Sequence, residues 1–136
     1  MTFLTATKAF KPNDVIMILG NISTPKENPG RIQVDNERFI LPPKDIYHSC
    51  RPNAYIDWNT MELKASMEIS PNTLITYHYG TSEDEYRVGA FDCNCGYSDC
   101  VKHFQGCKYL TKKQRNKIKE MLSPFLYKKY YGENTF

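Results

Sequence analysis

Three cysteines lie close together near the end of the chain, in the run Cys93-Asn94-Cys95-Gly96-Tyr97-Ser98-Asp99-Cys100. One and then four residues separate them, so a single turn could direct all three thiols at one point. Thiolates are common ligands of structural Zn²⁺, which is surrounded by four ligands in a tetrahedron. Cys50 lies in a dense, loop-like segment and is the natural fourth ligand. The spacing predicts one structural zinc ion held by Cys50, Cys93, Cys95 and Cys100.

Two other fates are open to these thiols. They could stay unpaired in the core, or Cys95 and Cys100 could form a disulfide. The N-terminus MTFLTATKAFKPND lacks the apolar run of a secretory signal, so we expect a cytoplasmic protein, in which a reducing environment leaves cysteines available to a metal. Cys107 lies seven residues beyond Cys100 and is expected to be a free thiol, although it could replace Cys50.

Short strands are the elements that must position these residues. At 136 residues the chain has the length of one domain. Residues 1–22 predict two strands around a turn at 11–14, residues 23–30 predict a turn, and 31–34 with 38–41 predict a hairpin around Asp35-Asn36. Further strands are predicted at 54–58, 61–67 and 73–79, the last after a turn at Pro71-Asn72.

The end of the chain has a helical pattern instead. Thr111 followed by Gln114 has the spacing of a capping box, which predicts that a helix begins there. One face of this helix is apolar until Ser123-Pro124 breaks it, and it carries Leu110, Ile118, Met121 and Leu122. A second short helix is predicted from Phe125 to Tyr130. The residues therefore predict a mainly β (α+β) fold with a helical end.

Composition and charge exclude several classes of protein. With 40% hydrophobic and 24% charged residues the chain is expected to fold, and no stretch approaches the roughly 20 apolar residues of a membrane span. The net charge of +3 is mild. A basic cluster near the end is interpreted as a solvated helix face rather than a nucleic-acid surface, and it comprises Lys112, Lys113, Arg115, Lys117 and Lys119.

Two segments of the chain resemble the SET domain family of lysine methyltransferases. That family has a loop reading Asn-His-Ser-Cys-x-Pro-Asn, a strand ending in Thr-Tyr/Phe-x-Tyr-Gly, and a tail reading Cys-x-Cys-x4-Cys-x5-Gly. Here the loop runs from Tyr47 to Asn53, the strand end from Thr76 to Gly80, and the tail from Cys93 to Gly106. The likeness covers about residues 5–126 and is similar at its end to short bacterial members.

The resemblance implies a fold, a zinc site and a cofactor. The fold is a set of small curled β-sheets with a threaded loop around His48, a zinc-binding post-SET segment and a C-terminal helix. It divides the chain into an N-terminally short SET domain at 1–90, the post-SET segment at 91–107 and a helical tail at 108–136. Family precedent joins the loop cysteine to the three tail cysteines in one zinc site. The cofactor implied is S-adenosylmethionine, and the implied partner is a protein or peptide lysine.

The resemblance also implies roles for single residues. Tyr79 matches the catalytic tyrosine, whose hydroxyl orients the lysine amine and the methyl group. Tyr77 falls at the Phe/Tyr switch position, where a hydroxyl leaves less room for added methyl groups, so monomethylation is expected. The implied cofactor contacts are Tyr47, His48, Tyr79, Phe91 and Cys95. Outside this motif, alternate tyrosines on a strand usually only pack, and His48 could simply anchor its loop.

The sequence departs from the family pattern in three places. The loop Asn that touches the cofactor in the family is Tyr47 here, which loses a polar contact. The glycine-containing segment that wraps the cofactor in the family is not matched, because the chain starts at about that point. The usual Gly-Glu-Glu turn is Pro71-Asn72-Thr73, which also makes a good turn. The first two departures fall on the expected cofactor pocket.

Three functions are therefore in competition. The first is a protein-lysine N-methyltransferase, favoured by the intact run from Tyr77 to Gly80. The second is a zinc-stapled binding or scaffold module that no longer transfers methyl groups, favoured by Tyr47 and the short N-terminus. The third is an enzyme of the same fold that acts on a small molecule or peptide.

Overall fold

The computed structural model describes residues 3–20, 22–23, 32–86 and 89–132, and within them short strands precede a helical end. The strands are β1 Val15–Ile18, β2 Ile22–Ser23, β3 Ile32–Gln33, β4 Phe39–Ile40, β5 Tyr47–His48, β6 Ala54–Asp57, β7 Glu62–Ala65, β8 Thr76–Tyr77, β9 Phe91–Asp92 and β10 His103–Phe104. The helices are α1 Lys112–Lys117 and α2 Pro124–Tyr131, and 3₁₀ turns lie at Tyr79–Thr81, Cys107–Tyr109 and Lys119–Met121. The mainly β architecture with a helical end is as predicted.

One antiparallel sheet, of order β1-β7-β6, forms the floor of the main core. Buried and half-buried residues alternate along β6 and β7, because successive side chains of a strand point to opposite faces. Ala54 pairs with Ala65 and Ile56 with Leu63, so the four buried side chains share one face. The same core includes Tyr77 of β8. Burial of this face therefore also determines the position of β8, which begins the tyrosine run from Thr76 to Gly80.

The predicted hairpin is present, with β3 and β4 antiparallel and β2 on the other edge of β4. Its turn is stabilised by Asp35, whose Oδ1 accepts hydrogen bonds from the backbone N–H groups of Glu37 and Arg38, each at 2.9 Å. This is the side-chain turn that Asp favours. The turn predicted at 23–30 lies almost wholly outside the described residues.

A parallel pair, β5 with β8, brings the two motif segments together. Tyr47 lies opposite Thr76 and His48 opposite Tyr77. The side chain of Asn53 extends this pairing, since its Oδ1 accepts from the Thr76 N–H at 2.8 Å and its Nδ2 donates to the Leu74 carbonyl at 3.0 Å. The loop from Ser49 to Asn53 is thus fastened beside β8 at both of its ends.

Three predicted strands are shorter than expected. The strand predicted at 73–79 is a strand only at Thr76–Tyr77, and the chain turns into the 3₁₀ turn from Tyr79 to Thr81. The predictions at 54–58 and 61–67 hold for β6 and β7 without their ends. In the first segment only β1 is a strand, while Phe3, Thr5 and Phe10 form single bridges to distant residues. A single bridge does not require alternating apolar and polar residues, so the sequence has no strand pattern that would distinguish it.

The helical end has a small apolar core of its own, made of Cys107, Leu110, Ile118, Leu122 and Leu126. The capping box predicted at Thr111 and Gln114 is present, with both reciprocal hydrogen bonds formed. The second helix is also present, and Ser123 caps its first turn by accepting from the Leu126 N–H. The helix predicted to run to Ser123-Pro124 ends earlier, at Lys117, and a 3₁₀ turn at Lys119–Met121 follows it. Ser123-Pro124 is therefore the start of α2 and not the end of α1.

This helical end is fastened to the residues that follow Tyr79. The Ser123 N–H donates to the Thr81 carbonyl at 2.8 Å, and the Cys107 N–H donates to the Glu83 carbonyl at 2.7 Å. From α2, Lys129 pairs with the buried Asp84, and the Tyr130 hydroxyl donates to the same carboxylate at 2.5 Å. Residues 81–84 are therefore held by backbone hydrogen bonds from Cys107 and Ser123 and by side chains of α2.

None of the helices in the described ranges is both long and apolar enough to cross a bilayer. The predicted division at residues 90/91 and 107/108 stays a prediction.

Gly106 provides a test of how tightly the tail is seated. Its φ is +128°, and a Cβ there would lie 2.2 Å from the Asp84 carbonyl oxygen. Gly89 has a similar φ of +114° but open space around it. We expect Gly89→Ala to cost about 1–2 kcal/mol from backbone strain alone, and Gly106→Ala to cost roughly 1–3 kcal/mol more from the steric clash. Chemical unfolding measures both, and equal losses would contradict the close approach to Asp84.

Candidate metal centre and aromatic site

The four cysteines predicted to bind zinc converge in the structure. Their Sγ atoms lie within 4.8 Å of one another, and those of Cys50 and Cys93 are 3.8 Å apart. A tetrahedron with a Zn–S distance of about 2.3 Å requires sulfur atoms about 3.8 Å apart. All five cysteines of the chain are free thiols, so the alternative disulfide between Cys95 and Cys100 is not present. The geometry fits a four-thiolate metal site.

The charges of this cluster explain why it needs a cation. Burial raises the pKa of the Cys50 thiol well above its usual range and that of Cys93 to about 11. At Cys95 burial also raises the pKa, but hydrogen bonds from the Tyr97 and Cys50 backbone and from neighbouring thiols lower it to about 7. Neighbouring thiolates repel one another, so without a cation the four cannot all ionise. A bound divalent ion would remove that obstacle.

A backbone hydrogen bond and two salt bridges hold the thiol cluster in place. The Val101 N–H donates to Cys50 Sγ at 3.3 Å, which suits an ionised thiolate. Outside the cluster, Asp99 pairs with Arg51 at 3.2 Å and with Lys117 at 2.8 Å. Lys117 first, and then Arg51, hold the pKa of Asp99 down to about 2. The cysteine loop is thereby connected both to the loop after β5 and to α1.

Cys107 lies elsewhere, as expected for a thiol outside the metal set. It is fully buried in the apolar core of the helical end. Burial, and then the nearby Asp84 carboxylate, raises the pKa of its thiol to about 12. Cys107 therefore does not take the place of Cys50.

A cluster of aromatic rings surrounds Tyr79. Its ring lies 5.1 Å from those of His48 and Tyr77 and 5.5 Å from that of Tyr86, measured between centroids. Phe91 and Phe104 follow at 6.0 and 6.2 Å. Tyr77 and Phe104 are buried, whereas Tyr79, Tyr86 and Phe91 are half-buried. The aromatic cluster therefore has a closed inner side and an outer side that a ligand could reach.

His48 connects the aromatic cluster to the thiol cluster. Its Nδ1 accepts a hydrogen bond from the Tyr79 N–H at 3.1 Å, so in the neutral ring the proton is on Nε2. That Nε2 lies 3.5 Å from Cys50 Sγ. Burial, with a smaller contribution from the neighbouring His78, lowers the pKa of His48 to about 3. The ring is thus neutral, fixed in one tautomer, and oriented to donate to the thiolate of Cys50.

The hydroxyls of the two motif tyrosines are both engaged. Tyr79 donates to the Ile46 carbonyl at 2.5 Å, and the Tyr77 and Ser82 hydroxyl oxygens are 3.1 Å apart. Burial is the main cause that raises the pKa of each tyrosine well above 10. Both hydroxyls therefore stay protonated at neutral pH.

The residues predicted to touch a cofactor lie in three different environments. Tyr79 and Phe91 are half-buried in the aromatic cluster, and Cys95 is half-buried in the thiol cluster. His48 is 4% exposed, so its side chain is enclosed. Tyr47 points to the opposite side of β5, is 46% exposed and packs edge-on against Phe3 at 4.9 Å between ring centroids. These cofactor assignments stay predictions.

Three members of the aromatic site were missed in the sequence. Tyr86 lies outside the family motifs, and Phe104 is at an unspecified position of the tail motif. Phe104 reaches Tyr79 because it pairs with Phe91 across β9 and β10. His78 is 4% exposed with its Nδ1 bonded to the Gly80 N–H at 2.9 Å. Burial lowers the pKa of His78 to about 4. A Phe on each side of the cysteine run, at positions 91 and 104, was the available signal for the strand pairing.

The basic cluster is only partly a solvated face. The Arg115 guanidinium donates to the Cys107 and Leu110 carbonyls and lies 4.5 Å from the centre of the Tyr130 ring. Lys119 lies 4.7 Å from the centre of the Tyr131 ring. Lys112 and Lys113 are exposed. Much of this charge therefore serves internal contacts.

A cavity of about 590 Å³ lies away from these clusters, between β6 and the helical end, and is lined in part by Tyr55, Trp58, Leu122 and Tyr127. None of its lining residues belongs to the thiol cluster or the aromatic cluster. We therefore identify the candidate site by the convergence of thiols, imidazoles and tyrosines.

Comparison with known proteins gives two informative matches. No protein-family model matches the chain. A curated relative from Candida albicans, named histone-lysine N-methyltransferase, H3 lysine-36 specific, is 38% identical over 72 residues, which cover 48% of this chain and 8% of that protein. The chain thus corresponds to a small part of that relative's length.

A solved structure resembles the fold. It is the crystal structure of KRYPTONITE in complex with mCHG DNA and SAH, matched with a TM-score of 0.55 and 21% sequence identity. The match covers 74% of this chain and 26% of that chain. At this identity the likeness concerns the fold.

Replacement of one loop cysteine tests the metal site. We expect purified wild-type protein to contain about one zinc ion per chain and Cys50→Ser to lose most of it, because three thiolates leave the tetrahedron incomplete. The melting temperature should fall by at least about 5 °C, since bound metal contributes to folding. Metal analysis and calorimetry measure these effects.

Cys107→Ala is the matched control, because it removes a buried thiol outside the cluster. It should cost some stability but keep the full zinc content. A wild-type protein without zinc, or a Cys50→Ser variant that keeps it, would contradict the assignment.

Proposed function

We propose that this chain, which has the SET-domain fold and resembles the SET-domain methyltransferases, is a protein-lysine N-methyltransferase that uses S-adenosylmethionine. The curated relative carries a histone-lysine methyltransferase name. The solved structure contains SAH, the product that S-adenosylmethionine becomes when it gives up its methyl group. Both support a methyl-transfer function, and the lysine substrate is part of the proposal.

The observation that carries the proposal is the position of Tyr79 inside the aromatic cluster, with its backbone bonded to the histidine that faces the thiol cluster. Its ring lies among five aromatic or imidazole rings, and its N–H is bonded to His48, which in turn faces the thiol cluster through Cys50. The tyrosine of the family motif is thus held by both its ring and its backbone. Such rigid placement is what an in-line displacement needs, because alignment of the reacting atoms supplies much of the catalysis.

The aromatic cluster suits a positively charged methyl donor. The sulfonium of S-adenosylmethionine would supply the electrophilic methyl group. Aromatic faces attract cations, and the pKa values of about 3 and 4 at His48 and His78, lowered mainly by burial, keep both imidazoles uncharged. The half-buried rings of Tyr79 and Phe91 are the groups we assign to this donor, and the enclosed His48 shapes the pocket beside them. Tyr47, on the opposite side of β5, and Cys95, in the thiol cluster, are cofactor contacts only as the family resemblance implies.

The attacking lysine amine must be uncharged. An apolar surrounding and a nearby positive sulfonium both lower a lysine pKa, so the amine can lose its proton to water without a strong base in the protein. The role of Tyr79 is then to accept a hydrogen bond from the amine and orient its lone pair. Its own proton is already donated to the Ile46 carbonyl.

The remaining assignments follow from this function. We propose one structural zinc ion at Cys50, Cys93, Cys95 and Cys100, a protein or peptide lysine as the substrate, and an intracellular location. We also propose the division into a SET domain at 1–90, a post-SET segment at 91–107 and a helical tail at 108–136. Monomethylation is the proposed main outcome, because the hydroxyl of Tyr77 occupies space at the switch position.

The scaffold function remains the second candidate, and Tyr47 favours it. This residue replaces the family's cofactor-binding Asn, and its exposed ring packs against Phe3. Calorimetric titration with S-adenosylmethionine separates the two functions, since a methyltransferase must bind it. No heat of binding at millimolar cofactor would favour the scaffold.

Tyr79→Phe tests the catalytic assignment. We expect methyl transfer to a lysine-containing protein to fall at least about 100-fold, because the amine loses its positioning contact, while binding of S-adenosylmethionine changes little. Tyr109→Phe, at a 53% exposed tyrosine, is the matched control and should keep full activity. Transfer that survives in Tyr79→Phe would refute the role of Tyr79.

The pH dependence tests the same mechanism from another side. Burial raises the pKa of Tyr79 above 10, so this hydroxyl does not lose its proton as the pH rises from 7 to 10. The rate should therefore increase with pH as the substrate amine is deprotonated, and then level off without a decline. Radiometric assays across this range measure it, and Tyr79→Phe should show the same profile at lower amplitude. A profile that loses its rising limb in the variant would identify Tyr79 as a base.

A further inference from the structure

A buried row of polar groups lies behind the switch residue Tyr77. The Tyr77 hydroxyl is 3.1 Å from Ser82 Oγ, and Ser82 Oγ is 2.7 Å from Glu83 Oε2. The same Oε2 accepts a hydrogen bond from the Gln33 N–H at 2.8 Å. Tyr77, Ser82 and Glu83 are each 4% exposed or less. The row is therefore shielded from water, and its hydrogen bonds are the ones the protein itself provides.

The contact between Glu83 and the Gln33 backbone determines the direction of each hydrogen bond in this row. A backbone N–H can only donate, so Glu83 Oε2 is an acceptor toward Gln33. The Ser82 hydroxyl donates to the same oxygen at 2.7 Å. The other acceptor in its reach, the Tyr79 carbonyl oxygen at 3.4 Å, can also only take a proton from Ser82. Ser82 then has no second proton and can only accept from Tyr77. The Tyr77 proton is in this way committed to Ser82.

The consequence is that the Tyr77 oxygen has only lone pairs left to offer. The same holds for Tyr79, whose proton is donated to the Ile46 carbonyl. The two tyrosine rings lie 5.1 Å apart between centroids. An oxygen fixed as an acceptor binds an N–H group and disfavours an N-methyl group in the same place, because a methyl group donates no comparable hydrogen bond and needs more room.

We propose that Ser82 and Glu83 are positioning residues for product specificity, which hold the Tyr77 hydroxyl as a hydrogen-bond acceptor and thereby stop the reaction after one methyl group. This inference depends on the proposed lysine methyltransferase function. It adds two residues outside the tyrosine motif to the specificity of the site. Neither residue is expected to touch the substrate or the cofactor.

Product analysis of Ser82→Ala is the decisive experiment. Purified protein is incubated with S-adenosylmethionine and a lysine-containing protein substrate, and mono-, di- and trimethylated lysine are followed over time by mass spectrometry. Without Ser82 the Tyr77 hydroxyl is free to rotate and its ring gains space. We expect the ratio of the second to the first methyl-transfer rate to rise roughly tenfold, the factor carried by one hydrogen bond of ordinary strength.

A double-mutant comparison separates this role from a general loss of packing. Tyr77→Phe alone should raise the ratio similarly, and Ser82→Ala should add less than about twofold in the Tyr77→Phe background, because the hydroxyl it acts on is gone. Ser123→Ala is the matched control, since it removes an equally buried serine hydroxyl that caps α2. It should cost stability but leave the ratio unchanged. Ser82→Cys, which fills the site with a poor acceptor, should give an intermediate ratio and serves if Ser82→Ala does not fold.

The outcomes distinguish this inference from the function on which it depends. A wild-type protein that transfers no methyl group overturns the proposed function and this inference with it. A wild-type protein that transfers methyl groups, with an unchanged ratio in Ser82→Ala and Ser82→Cys, overturns this inference alone. Independent, multiplicative effects of Ser82→Ala and Tyr77→Phe would also overturn it.

Discussion

The parallel pairing of β5 with β8 is the constraint on which the two clusters depend. Parallel strands cannot be joined by a tight turn, so a long connection must lead from one to the other. Here that connection contains β6 and β7, whose buried faces build the main core. The Asn53 side chain extends this pairing by hydrogen bonds to the backbone at Leu74 and Thr76. Hydrophobic burial in the middle of the chain therefore brings the loop cysteine beside the tyrosine motif.

The two clusters are chemically different but share one residue. The thiol cluster gathers negative charge that needs a cation, while the aromatic cluster is neutral and apolar. His48 lies between them, bonded to the Tyr79 backbone on one side and facing Cys50 on the other. The thiol cluster therefore does more than connect the tail to the loop after β5: through a single neutral imidazole it also contacts the backbone of Tyr79.

Spacing and periodicity correctly predicted the features that depend on residues close together in the sequence. The four cysteines were found because three thiols so close together have few other uses, and the helix start was found because Thr111 and Gln114 form a local motif. The strand predicted at 73–79 was too long because nothing in the run announces the turn at Tyr79. The row formed by Tyr77, Ser82, Glu83 and Gln33 was not predicted, since polar residues are expected at the surface and Gln33 lies fifty residues from Glu83 in the sequence.

The contacts between the helical end and residues 81–84 bear on how this protein can be shortened. The Asp84 carboxylate pairs with Lys129 and accepts a hydrogen bond from the Tyr130 hydroxyl, both in α2. The Thr81 carbonyl accepts a hydrogen bond from the Ser123 N–H. These are the residues directly behind the turn that carries Tyr79. A chain cut after Gly106 would keep every motif residue yet leave the buried Asp84 carboxylate without Lys129 and Tyr130. The helical end thus supports the turn that carries Tyr79, and a shortened chain that is to keep this turn in place has to include it.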